Sequence, residues 1–293
     1  MMKNKKKEPE IRFAFFGTPQ LAAVFLDDLE RLALVPSLVI TPTDKERDRG
    51  MAMTPPPVKV WAEARNILVL QPEKPDELAS LLRDKTFDVF VVIYYGKILP
   101  REILEIPKRG TINVHFSLLP RWKGTSPIRA AIINDDKKTG ISLVLMDEKL
   151  DHGPLIAQKE LPIGKWPPSA RELEELATHE SAKLLQSVIR PWVAGEIDAR
   201  EQNHDLETLC PTLEKDDGLL DLSHDSYKNL LKIRAFDSTI GTYAFFERSG
   251  KKIRVQILDA HIENNVLAID RVKPEGKREM RYDEFLRSGA KPL

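Results

Sequence analysis

Residues 11–19 read IRFAFFGTP, a run rich in β-branched and aromatic residues that stops at Gly17 and gives way to Thr18-Pro19. Such a run favours a strand, and the Thr-Pro pair offers an N-cap followed by a proline at a first helical position. Leu21, Ala22, Phe25, Leu26, Leu29 and Leu32 then recur at the spacing of one helix face. The unit repeats downstream. Residues 35–40 are apolar enough for a second buried strand. The pattern predicts a helix over 58–65, a strand at 68–70 and a helix over 76–83. A strand follows from Asp88 (DVFVVI), then a short helix near 101–104, a strand TINVH from Thr111 and a strand over 140–146. Continuous apolar strands alternating with amphipathic helices describe a sheet covered on both faces, so a doubly wound, mostly parallel α/β domain is expected.

A dinucleotide-binding sheet carries G-x-G-x-x-G after its first strand; here the turn is Gly17-Thr18-Pro19, so this Rossmann-like sheet is expected to bind no NAD. A long helix with Leu173, Leu176, Leu184, Leu185 and Val188 follows, with Pro191 expected to break it. The α/β domain is therefore placed at 11–190, after a lysine-rich lead-in over 1–10 expected to be disordered. Residues 191–206 read as a polar linker. Over 207–293 the texture changes to short alternating strands (TYAFFE, KIRVQIL, NVLAID) and a short helix near 283–287, which predicts a small, mostly β domain.

Composition narrows the function. Forty-five Lys and Arg balance 45 Asp and Glu over 293 residues, which excludes a polycation that binds nucleic acid by bulk charge. Residues 226–293 nevertheless hold 14 basic against nine acidic residues, enough for a local phosphate-contacting surface. One cysteine, Cys210, excludes a disulfide framework, and the histidines have no ligand-like spacing, so no metal is expected. No apolar run exceeds strand length. A cytoplasmic monomer with no membrane contact is expected.

In a doubly wound sheet, ligands gather at the carboxyl ends of the strands. TINVH ends in Asn113 and His115, which lie two residues apart and so share a face. The proline-containing SLLPRWKGTSPI follows, and the next strand runs into MDEKLDHG, expected to bring Asp147 and Asp151 to the same edge. An amide to donate to an oxyanion, an imidazole to move a proton and a carboxylate to orient it are the parts of acyl transfer to an amine, with the substrate amine as nucleophile.

Asn113-x-His115, SLLPRWKGTSPI and the LDHG segment together resemble the signature of the 10-formyltetrahydrofolate-dependent formyltransferases. FGTP, the TPPPVKVWAE run from Thr54 and YGKILP from Tyr95 are similar to the methionyl-tRNA formyltransferases within that family. The similarity runs from about Ile11 to Leu161 and continues weakly through Arg234-Ala235-Phe236. The resemblance implies a formyltransferase fold followed by an OB-like barrel, here short of one hairpin. It also implies 10-formyltetrahydrofolate as donor and initiator Met-tRNA as partner. It makes Asn113, His115 and Asp151 the catalytic residues. Ser117, Leu118, Leu119 and Pro120 then lie beside the folate, with Tyr95, Gly96, Lys97, Ile98, Leu99 and Asp147 lining its pocket. Residues 43–57 are similar to the insertion that meets the tRNA acceptor end, with Arg49 at the key position beside Arg47 and Lys45; from its basic charge, the second domain is expected to add phosphate contacts through Lys251, Lys252 and Arg254. Lys123 stands where relatives carry arginine. Two other readings share parts of this pattern: a formyltransferase acting on the amine of a nucleotide-linked sugar, and a catalytically idle RNA-binding relative.

Overall fold

The computed structural model describes residues 11–47, 52–237 and 240–293. The lead-in over 1–10 and Arg49 lie outside the described residues. Packing divides the chain into two compact units. One takes the chain through Pro120 with Ile141–Lys159 and Ala177–Asp205, and the other takes Arg121–Gly140, Glu160–Leu176 and Leu206–Leu293.

The first unit is built as the apolar pattern dictates. Strand β1 (Phe13–Phe16) leads to helix α1 (Gln20–Arg31) and strand β2 (Leu38–Ile40). A two-stranded hairpin of β3 (Lys45–Arg47) and β4 (Ala52–Thr54) precedes α2 (Pro57–Glu63), β5 (Val69–Leu70), α3 (Pro75–Leu82) and β6 (Val89–Val92). Then come α4 (Arg101–Leu104) and β7 (Thr111–His115); after α5 (Pro127–Ile133), which belongs to the second unit, follow β8 (Gly140–Leu145) and β9 (Leu155–Glu160). The sheet order is β5-β2-β1-β6-β7-β8-β9. The ladders from β5 to β7 are all parallel, whereas β8 runs antiparallel to β7. The chain winds outward in both directions from β1 and β6, which makes the carboxyl ends of these two strands the switch point.

Both faces of the sheet are buried. Ala14, Phe16, Phe90 and Val92 pack with Leu78, Leu82, Tyr95 and Leu104 on one side, and Phe15 stacks on Phe25 of α1 on the other. Gly17 is needed at the first turn, because a Cβ there would stand 2.6 Å from the Phe15 ring and 3.0 Å from the Ala22 methyl. Thr18 does not cap α1: its hydroxyl donates to the Tyr95 carbonyl at 3.1 Å, joining the ends of β1 and β6, and Pro19 occupies the N-cap position.

Helix α6 (Ala170–Ala194) corrects one expectation, since it continues through Pro191. A proline this close to the end removes one hydrogen bond from a final turn whose groups are already leaving the helical ladder. The helix stops instead at Gly195, in a left-handed conformation, with Gly195 N–H donating to Trp192 and Glu196 N–H to Pro191, the pattern of a Schellman cap. The segment 43–57 also carries regular structure. Its described ends form the β3–β4 ladder, and the Asp44 carboxylate at its base takes the Lys59 ammonium at 2.9 Å and the Gln71 amide at 2.8 Å. The Gln71 and Lys59 hydrogen bonds hold the Asp44 pKa below the usual carboxylate range, so this anchor persists at neutral pH and is released only on acidification.

The second unit holds a five-stranded antiparallel sheet in the order β13-β12-β11-β10-β14. Its members are β10 (Thr242–Arg248), β11 (Lys251–Glu263), β12 (Val266–Pro274), β13 (Met280–Arg281) and β14 (Lys291–Pro292). Helix α7 (Ser226–Ala235) begins where Asp225 accepts from the N–H groups of Tyr227 and Lys228, and α8 (Tyr282–Arg287) lies between β13 and β14. Alternation sets the faces. Ala244, Phe246, Val255 and Ile257 form the core with Phe285. The opposite face carries Tyr243 and Phe245, beneath the Arg254 guanidinium at 3.6 Å and the Lys252 ammonium at 4.0 Å.

The central packing gives a test. Phe90 is fully buried between Phe16 and Phe87, with ring centroids 5.1 and 5.2 Å away. Phe90→Ala is expected to lower the unfolding free energy in urea by about 3–5 kcal/mol. Leu68→Ala, at an exposed position, is expected to stay within about 0.5 kcal/mol.

Candidate active site

Strand β7 presents Asn113 and His115 on one face, and the turn after β8 folds back to meet them. The Asn113 amide donates to Asp151 Oδ1 at 3.1 Å. His115 Nδ1 lies 3.5 Å from Asp151 Oδ2, within ion-pair range but longer than an ordinary hydrogen bond. The side chains of His115 and Asp151 are each only 6% exposed. One carboxylate thus divides its two oxygens between an amide and an imidazole in a nearly dry setting, where electrostatic interactions are strengthened.

The route by which Asp151 arrives differs from the sequence expectation. Because β8 is antiparallel to β7, Ser142 faces His115 in the ladder, Val144 faces Asn113, and Leu145 faces Ile112. The carboxyl end of β8 therefore lies level with the start of β7, and residues 146–153 must turn back over the sheet to deliver the carboxylate. That turn is tightly specified. Asp151 sits at φ +48°, a left-handed conformation uncommon outside glycine, although Asp tolerates it better than most. At Gly153 a Cβ would stand 1.9 Å from the Leu145 carbonyl oxygen, so only glycine fits. Asp147 does not join the group: its carboxylate accepts from the Lys149 N–H and meets His152 Nδ1, each at 2.8 Å.

The Ser117–Pro120 loop is held by residues that the motif reading did not single out. The Ser142 hydroxyl donates to the Ser117 carbonyl at 2.7 Å and accepts from the Leu119 N–H at 3.0 Å and from the Gln158 amide at 2.9 Å. Its one donor and two acceptor sites are thereby all used. Gln158 also donates to the Leu119 carbonyl at 2.9 Å, and the Leu119 side chain packs with Val144 and Leu155. Ser117 and Leu119 are buried, whereas Leu118 and Pro120 remain partly exposed. A small polar residue on a fully apolar strand, ISLVL, is the one sequence signal for Ser142.

The remaining sequence-predicted residues are distributed as follows. Tyr95 and Leu99 are buried in the core cluster, and burial pushes the Tyr95 hydroxyl pKa up to about 12. Gly96 stands at φ +75° with open space around it, Lys97 donates to the Pro72 carbonyl at 3.0 Å, and Ile98 is 91% exposed. Tyr94 and Phe116, which follow β6 and β7, pack ring to ring at 5.0 Å. Lys45 is exposed, and Arg47 ends β3. Lys251 and Lys252 are exposed, and Arg254 is half-buried. Lys123 is buried in the second unit and paired with Glu207 at 2.7 Å. Among the described residues, no group of three His, Cys, Asp or Glu side chains is placed to hold a metal ion, and no helix is long and apolar enough to cross a membrane.

Comparison with known proteins identifies the family. A family model described as Formyl transferase matches residues 11–189. The methionyl-tRNA formyltransferase of Myxococcus xanthus is 36% identical over 298 residues, 94% of each chain. That of Sorangium cellulosum is 38% identical, covering 87% of this chain and 80% of its own. Among solved structures, an N-formyltransferase from Helicobacter canadensis in complex with folinic acid and dTDP-3-aminofucose superposes with a TM-score of 0.63. The match is 19% identical and covers 87% of this chain and 88% of that one. HypX from Aquifex aeolicus in complex with tetrahydrofolic acid gives a TM-score of 0.66 at 15% identity, covering 95% of this chain and 47% of that one. These structural likenesses speak for the fold, while the sequence relatives and the matched domain go further: the chain belongs to the methionyl-tRNA formyltransferase family of formyl transferases.

Proposed function

We propose that this chain transfers the formyl group of 10-formyltetrahydrofolate to the α-amino group of methionine on initiator tRNA. The observation that carries the reading is the meeting of Asn113 and His115 on the two oxygens of a single buried carboxylate, Asp151. The amine attacks the formyl carbon, forming a new C–N bond while the carbonyl π electrons move onto oxygen. Collapse of this tetrahedral centre breaks the bond to N10, which takes a proton as the amine gives one up. Asn113 has two N–H donors; Asp151 takes one, and the other is assigned to the developing oxyanion. His115 carries the proton between the nitrogens, and Asp151 holds its ring in the orientation that transfer requires.

The donor is assigned to the Ser117–Pro120 loop. The loop suits it chemically: backbone groups not taken by Ser142 and Gln158 can pair with the polar edge of a pterin, and the partly exposed, apolar Leu118 suits its rings. RNA contacts are assigned to Lys45, Arg47 and Arg49 of the 43–57 segment, and to Lys251, Lys252 and Arg254. Before the hairpin, Asp44 is spent on Lys59 and Gln71. In the second unit, Lys251 and Lys252 supply screened, sequence-independent attraction to phosphates.

The deciding experiment compares formyl transfer from 10-formyltetrahydrofolate to charged initiator tRNA and to an amino-sugar nucleotide. Transfer to the tRNA alone is expected, and transfer to the sugar nucleotide alone would replace this reading. Asn113→Ala, His115→Ala and Asp151→Ala should each lower kcat by about 10²–10³-fold, with much smaller changes in KM for the folate. For the loop, Ser142→Ala removes the acceptor of the buried Leu119 N–H and the donor to the Ser117 carbonyl. It should cost about 1–3 kcal/mol of stability and raise KM for the folate, while Ser142→Thr keeps the hydroxyl and stays close to the parent. An unchanged folate KM in Ser142→Ala would separate the loop from donor binding.

A further inference from the structure

The sequence reads residues 191–206 as a polar linker, but residues 200–204 are laced along the catalytic turn. Arg200 and Leu155 exchange both backbone hydrogen bonds, at 2.7 and 2.8 Å, forming an antiparallel bridge at the start of β9. Two residues on, the Gln202 side-chain amide donates to the carbonyls of Asp151 at 2.8 Å and Gly153 at 2.7 Å. Two residues further, the His204 ring stacks face to face on His152 with centroids 4.1 Å apart. Every second residue of this strap therefore grips the 151–155 stretch.

Gln202 occupies the centre and is 5% exposed. A glutamine amide has two N–H donors, and both end on the carbonyls that flank His152. Two carbonyl acceptors fix which end of the amide faces them. The other end, Oε1, is buried with no hydrogen-bond partner. An apolar side chain of equal length would fill the same volume and free the unpartnered Oε1, but it would take both donors from the Asp151 and Gly153 carbonyls, so hydrogen bonding to the turn rather than packing accounts for an amide here. What the amide does is set the peptide planes on either side of His152. Asp151 is held in its left-handed conformation from two directions: Asn113 holds the carboxylate and Gln202 holds the carbonyl.

We propose that Gln202 is a positioning residue of the transfer site: by clamping the carbonyls of Asp151 and Gly153, it sets the Asp151 carboxylate where it meets Asn113 and His115. The inference rests on the reading of Asp151 as the carboxylate that serves His115. Gln202 itself acts through the turn.

The test is a double-mutant cycle on the full chain, with formylation of charged initiator tRNA as the readout. Gln202→Met keeps the length and volume and removes both donors. It is expected to lower kcat roughly 10–100-fold, within the range that misplacement of a catalytic group by about 1 Å produces, while KM for the folate and for the tRNA changes by less than about threefold. In an Asp151→Ala background the same substitution is expected to cost less than about twofold more, because the group it positions is gone. A merely structural role predicts the opposite, a loss that multiplies through in both backgrounds. Parental kcat in Gln202→Met, or a fully multiplicative loss in the double variant, overturns the inference. Should Gln202→Met lose its thermal unfolding transition, the cycle is read on Gln202→Asn, which keeps the polarity but falls one methylene short, with the same two outcomes deciding. Asp151→Ala alone separates the premises: parental turnover there removes the catalytic reading of Asp151, whereas its loss beside a fully active Gln202→Met removes only the role of Gln202.

Discussion

Strand β8 enters the sheet against the direction of β7, and the assembly of the site follows from that reversal. The antiparallel ladder places Ser142 across from His115 and Val144 across from Asn113, so the strand that supports the imidazole also supplies the hydroxyl that ties down the Ser117–Pro120 loop. It also delivers the chain to the wrong end of β7 for the third group. The turn over 146–153 corrects this by doubling back, at the cost of a left-handed Asp151 and a position that only Gly153 can fill. Pairing by backbone hydrogen bonds fixes these relations in register, and a slip of one residue would turn both Asn113 and His115 to the opposite face.

How much of this was legible in the residues depends on the range of the forces involved. The strands from β1 to β7 and the helices between them announce themselves because burial on both faces demands continuous apolar runs, as in FAFF and VFVV. Asn113, His115 and Asp151 were legible as a motif, and the structure brings the three together. The direction of β8 was not, since a doubly buried strand reads alike in either direction. β9 was missed because LIAQKE changes from apolar to polar partway along, where the strand leaves the core. Helix α7 had a signal, Asp225 followed by Leu230, Leu231 and Ile233, which the strand-like texture on either side obscured. Pro191 misled because the penalty for proline applies in a helix interior and fades in its last turn.

Gln158 and Gln202 illustrate the harder limit. Nothing in the run EQNHDL distinguishes a side chain that holds two buried carbonyls from one that faces water, because the partners lie some 50 residues away in sequence. The same holds for the charges of residues 43–57. Sequence proximity sets Asp44 beside Lys45, whereas the fold gives it to Lys59 and Gln71. Local composition states which charges are present; only the tertiary structure states which of them are already spoken for.

The central claim is that donor chemistry takes place over Asn113 and His115, with Asp151 behind them. The most direct measurement is a crystal structure of the full chain with 5-formyltetrahydrofolate bound. The account predicts the pteridine along Ser117–Pro120, with the N10 nitrogen over Asn113 and His115 and a solvent or formyl oxygen at hydrogen-bond distance, about 2.7–3.2 Å, from Asn113 Nδ2. A folate seated on another surface, with N10 remote from Asn113 and His115, would contradict it.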